Sequence, residues 1–169
     1  MLDTLHHRKD DEDGFTLIEL MVVVLIIAIL IAIAIPTFLG AQDRARDRGA
    51  QSDLRNALTA AKTVATDHSG YFLKDDTTNL DAATMNATEP SLTFVVIGSA
   101  SQSDIGVVVA DTAGPPVVKG TSVTFEKQSA SGTWFGIGSD SQGKVRYCKG
   151  AQGDCNDYVA DALNFQAKW

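Results

Sequence analysis

The feature that most constrains this chain is an apolar run of 21 residues, Phe15 to Ile35 (FTLIELMVVVLIIAILIAIAI), whose one ionisable group is Glu19. As a helix rising 1.5 Å per residue it is about 32 Å long, enough to cross a hydrocarbon core of about 30 Å. It is apolar on every side, so it requires lipid or other helices all round it. The alternative is the buried core helix of a soluble domain, and the 134 residues that follow are too few to wrap it.

Charge and composition divide the rest. Residues 1–14 carry two cations against five carboxylates, a net of −3 within a chain total of −7. An acidic chain repels phosphate backbones, which argues against generic nucleic-acid binding. Two cysteines and three histidines leave little from which to build a metal centre, and no metal or cofactor is expected. Residues 36–67 carry five basic and four acidic groups. There Leu54, Ala57, Leu58, Ala61, Val64 and Ala65 recur at three- and four-residue steps, the stripe of an amphipathic helix, with Arg44, Arg46, Arg48, Arg55 and Lys62 mainly off it. Those charges read as a solvated face or as contacts with neighbouring subunits.

From Gly70 onward lie 11 of the 14 glycines and a series of short β-like runs: Leu92–Ile97, Ile105–Ala110, Ser122–Lys127, Thr133–Gly138 and Lys144–Cys148. The last two are a hairpin candidate around Ser139–Gly143. Residues 67–91 read as a polar connection, and Tyr158–Phe165 as a possible short helix. Asp75–Asp81 is rich in oxygen ligands but lacks the glycine and distal glutamate of an EF-hand loop. Asn86-Ala87-Thr88 fits a glycosylation sequon, a frequent chance match. His68 is the one histidine beyond residue 7, with no nucleophile pattern beside it. No enzymatic arrangement is visible.

The order of events at the N-terminus is informative. A secretory signal places basic residues first and loses its apolar stretch. Here a short charged leader ends at Gly14, the run starts at once, an acid follows five residues after the glycine, and Pro36 closes the run. Asp13-Gly14-Phe15-Thr16-Leu17-Ile18-Glu19, continued to Pro36, resembles the processing motif of type IV prepilins. That resemblance implies cleavage of Gly14–Phe15 by a prepilin peptidase and N-methylation of Phe15. It implies filament assembly through Thr16, Glu19 and Pro36, with the Glu19 carboxylate meeting the amine of an adjacent subunit. Where many members have a glycine midway along the run, this chain has Ala28, which keeps a helix intact better by about 1 kcal/mol.

The implied fold is α+β, a long N-terminal helix, half transmembrane and half amphipathic, packed on a C-terminal antiparallel β-sheet. The expected parts are a cleaved leader (1–14), a transmembrane and filament-core helix (15–35), an amphipathic half (36–67) and a β-rich head (68–169). Cys148 and Cys155 enclose six residues. In an exported domain, and by likeness to pilins that close a C-terminal loop, they are expected to form a disulfide; two free thiols are the alternative. The implied partners are identical subunits, the peptidase, an inner-membrane assembly platform, a cytoplasmic ATPase, and membrane lipid before assembly. The subunit would pass from the cytoplasmic membrane, leader inside, to an extracellular pilus. The basic residues flanking the run, Arg8 and Lys9 before and Arg44, Arg46 and Arg48 after, by themselves leave the orientation ambiguous or reversed; the cleavage motif overrides them. The alternatives are a pseudopilin of a type II secretion system and a secreted or membrane-anchored protein that never polymerises.

Overall fold

The computed structural model describes residues 14–111, 116–155 and 165–169. One helix, α1, runs without a break from Leu17 to Asp67, and the chain divides at Ala41/Gln42 into two units. In the first unit every large apolar side chain from Phe15 to Leu39 is exposed. Pro36 lies inside the helix. Proline removes one backbone donor there. The next hydroxyl, Thr37 Oγ1, donates to the carbonyls of Ala34 at 2.8 Å and Ile33 at 3.3 Å.

In the second unit the helix packs its sequence-read stripe on a sheet. Ala50, Leu54, Ala57, Leu58, Ala60, Ala61 and Ala65 are buried, with Val64 at the margin. They meet Val107, Val123, Phe125, Phe135 and Ile137, which alternate along their strands and so share one sheet face. Leu54 is fully buried, worth about 1.5–3 kcal/mol. The sheet has five strands in sequential order: β3 (Phe94–Val96), β4 (Ile105–Ala110), β5 (Ser122–Gln128), β6 (Trp134–Asp140) and β7 (Val145–Gly150). They follow the five runs read from sequence within a few residues. Asp140 accepts the N–H of Gln142 and of Lys144 and so shapes the β6–β7 turn.

Two features depart from the sequence reading. The pairings β4–β5, β5–β6 and β6–β7 are antiparallel, but β3 runs parallel to β4. A parallel return usually needs a long crossover. Here β3 spans three residues, only about 10 Å, so the loop 97–104 suffices to bring the chain back. Gly98, at φ 84°, makes the turn. The stretch 67–91 is also ordered: β1 (Leu73–Asp75) and β2 (Thr78–Asn79) form a small hairpin, and α2 (Ala82–Thr88) follows. The helix expected at Tyr158–Phe165 lies, apart from Phe165, outside the described residues, as does the leader before Gly14.

The face of the sheet turned away from the helix is also covered. Gly106, Glu126, Gly136 and Cys148 stand side by side in register across β4 to β7. Glu126 is fully buried between the two glycines, and a Cβ at Gly106 would lie 2.9 Å from its Cγ. Its Oε1 accepts the Gly98 N–H at 2.6 Å, while Oε2 has no partner. Burial pushes this carboxyl up from its ordinary range, opposed by the Gly98 N–H.

Candidate processing and assembly site

Gly14 and Phe15 precede the first turn of α1, and both are exposed. Thr16 is the N-cap and Glu19 the third helical residue, and the two bond reciprocally. Thr16 N–H and Oγ1–H donate to Glu19 Oε2 at 2.9 and 2.7 Å, and Glu19 N–H donates to Thr16 Oγ1 at 3.2 Å. This is a capping box, which satisfies two donors that a helix start otherwise leaves unpaired. The T-x-x-E spacing was its sequence signal, and reading Thr16 and Glu19 only as assembly residues missed it.

The electrostatics of this end follow from the helix. Its N-terminus carries partial positive charge, which favours an anion in the first turn and disfavours a cation there. Cleavage at Gly14–Phe15 would place an ammonium at that positive end. Glu19 is the acid of the first turn, fixed by Thr16 within reach of a charge at the helix start. Pro36, the other residue expected in assembly, lies about 25 Å further along the helix by rise per residue. The structure therefore gathers Gly14, Phe15, Thr16 and Glu19 and leaves Pro36 apart.

At the opposite end of the chain, Cys148 on β7 is bonded to Cys155, with Cα atoms 5.5 Å apart. The loop folds over Gly136, and Phe165 is buried beside the pair. After it the C-terminal residues border β7: Gln166 exchanges two backbone hydrogen bonds with Tyr147. The Trp169 indole N–H donates to the carbonyls of Cys148 at 2.8 Å and Gly136 at 3.2 Å. The Trp169 ring packs on Tyr147 and Phe135 and lies 4.8 Å beneath the Arg55 guanidinium.

The oxygen-rich stretch Asp75–Asp81 is spent on local structure. Asp75 Oδ1 accepts the backbone N–H and the hydroxyl of Thr77, and the N–H holds its carboxyl below the usual range. Asp81 caps α2 through the Thr84 N–H at 2.9 Å and pairs with Lys74 at 2.9 Å. Those contacts, the Thr84 N–H first, bring its pKa to about 2. Among the described residues no group of three or more His, Cys, Asp or Glu side chains could hold a metal ion. The sequon Asn86 bonds both backbone groups of Phe94, accepting at 2.8 Å and donating at 3.0 Å.

An exposed apolar helix, long enough by length and composition to cross a membrane, starts at a capped acidic turn and continues into a helix-on-sheet head. That is a build in which the N-terminal helix can serve as a membrane anchor. Residues 10–35 match the family described as the prokaryotic N-terminal methylation motif. No curated protein and no solved structure matches the chain. The motif and the fold support a type IV pilin-like prepilin, one that a prepilin peptidase processes and that its apolar helix anchors in the membrane before assembly. The motif points to a structural rather than a catalytic protein.

Proposed function

We propose that this chain is the repeating subunit of a type IV pilus, stored in the cytoplasmic membrane by Phe15–Ile35 and extracted into a surface filament. The peptidase hydrolyses Gly14–Phe15, and the new Phe15 amine takes a methyl group from an external methyl donor, whose bond to the methyl breaks as the amine loses a proton. Glu19 exchanges part of its bonding to Thr16 for the amine of a neighbouring subunit. The energy for extraction comes from a cytoplasmic ATPase acting through the assembly platform.

The observation that carries this reading is the exposure of α1 from Phe15 to Leu39 around its whole circumference. Lipid satisfies such a surface before assembly, and identical helices from other subunits satisfy it afterwards. Mass spectrometry of the mature protein should show residues 15–169 with one methyl group on Phe15. Sheared surface filaments should contain this protein as their main component. Correct processing without surface filaments would favour a pseudopilin or a membrane anchor that does not polymerise. A mature N-terminus at Ile35 would instead mean an ordinary secreted protein, cut after Ala34.

A further inference from the structure

The charges on the second part of α1 are sorted by whether they have partners. Of its four carboxylates, Asp43 pairs with Arg46 at 3.2 Å, Asp47 accepts from the Ser131 hydroxyl, and Asp53 pairs with Lys127 at 3.0 Å. Among the described residues, the fourth, Asp67, has none. Arg44 and Arg48 are exposed and have none either. At 3.6 residues per turn, positions 44, 48, 55 and 62 fall within about 40° of one another. They make a basic stripe about 27 Å long, about 120° round the helix from the centre of its buried face, with Leu58 at the near margin. Arg55 is occupied by the Trp169 ring. The end of the stripe nearest the apolar run, Arg44 with Arg48, is therefore an unanswered pair of cations.

Acids with little or no internal pairing lie at and beside the other end of the same helix. Asp67 is its last residue, and no basic residue stands in its last turn. A carboxylate there faces the negative end of the helix dipole, an unfavourable place within one subunit. Beside it, the β1–β2 turn presents Asp76, whose side chain is 99% exposed and whose one partner is His68 at 3.8 Å. Arg44 and Arg48 cannot reach these groups in their own copy. The helix separates them by about 30 Å, from 19 to 23 residues at 1.5 Å each.

We infer that Arg44 and Arg48 of one subunit dock on Asp67 and Asp76 of a second copy, displaced by about 30 Å along the helix axis. This deepens the filament reading and rests on it. The contact joins two different patches of one surface, so it is head-to-tail. Repeated with the same displacement it does not close into a ring but propagates as a helix. It also answers a general difficulty: the chain is net acidic, and copies packed side by side repel unless opposite charges are placed against each other.

The test uses cells producing the full-length chain. It compares sheared-filament yield with the pool of processed, disulfide-bonded subunit in the membrane. Arg44→Glu with Arg48→Glu should lower the yield at least tenfold against an unchanged pool. Asp67→Lys with Asp76→Lys should do the same, and the four substitutions together should recover most of the wild-type yield. In wild-type-like filaments of Arg48→Lys, zero-length carbodiimide coupling should join the introduced amine to Asp67 or Asp76 of another copy. Undiminished yield from both reversals, failure of the combination to recover, or absence of that cross-link would overturn the pairing. If the arginine reversal instead keeps filaments but abolishes their retention of duplex DNA, the stripe is a nucleic-acid surface and the inference is wrong. Wild-type cells that process the subunit yet shed no filaments would overturn the filament reading itself, a result distinct from any difference among variants.

Discussion

Gly136 lies beneath the disulfide loop, and enlarging it by one methyl group tests how rigidly that loop is held. A Cβ built at this position comes to 2.5 Å from the Cβ of Cys155, 3.1 Å from its carbonyl oxygen and 3.4 Å from the Cβ of Cys148. Carbon atoms rest at about 3.5–4.0 Å, so the loop must move by about 1 Å to admit the methyl. It cannot swing freely, because Cys155 is bonded to Cys148 on the neighbouring strand. Overpacking of this kind costs about 1–3 kcal/mol. Replacing glycine returns about 0.4–1 kcal/mol through the unfolded chain. Gly136→Ala should therefore destabilise the mature protein by about 1–2 kcal/mol, lowering Tm by about 2–8 °C. The assay is thermal unfolding in detergent, followed by tryptophan fluorescence. The same substitution in a Cys148→Ser, Cys155→Ser background should lose much less, because the loop can then lift. Equal losses in both backgrounds, or none in either, would refute the idea that the bridge confines the loop.

The remaining expectations concern three acids. Burial raises the Glu126 carboxyl, so the folded chain binds its proton more tightly than the unfolded chain does. Its stabilising contribution is complete below the unfolded value of about 4.3 and is lost as pH rises through the folded value. Glu126→Gln should match wild type near pH 4 and gain in relative Tm as the pH is raised to 8; a constant gap would contradict this. Asp81, lowered to about 2, works in the opposite sense: its contribution is present above the unfolded value and lost as pH falls through about 2. Asp81→Ala should cost about 0.5–2 kcal/mol at pH 7 by chemical denaturation, and the difference should shrink towards pH 2. Glu19→Val should leave membrane insertion and cleavage intact while sharply reducing sheared filaments; normal filament yield would mean that Glu19 only caps its own helix.

What was legible in the sequence was whatever repeats with a fixed period. The apolar run and the stripe from Leu54 to Ala65 are long enough for pattern to override local detail, and the strands from Ile105 onward alternate clearly. Strand direction was not legible, because Phe94–Val96 would read the same running either way. The hairpin and α2 were hidden because aspartates and threonines, read as solvated polar chain, hold their shape by short-range bonds such as Asp81 to Thr84. The burial of Glu126 had no signal in the sequence: an acid within a strand run passes for a solvated one, yet Gly106 and Gly136 give it room to be buried. The candidate site divides in the same way. Gly14, Phe15 and Glu19 stood out as a motif, whereas the cap between Thr16 and Glu19 required only a spacing that was overlooked. Trp169 belongs to no pattern, and only the fold brings it against Arg55 and Tyr147.

The single asparagine beside β3 has a consequence for life at high local concentration. A sheet edge is a row of open donors and acceptors to which another chain can add as a strand. At one edge Asn86 answers both backbone groups of Phe94 with a side-chain amide, and the strand is only three residues long. At the other, Gln166 occupies Tyr147. In the proposed filament, heads crowded along a polymer would thereby offer each other less open strand edge, the feature through which dense β-proteins turn into amyloid. Copies of this chain would then meet through helices and side chains, contacts that can be undone.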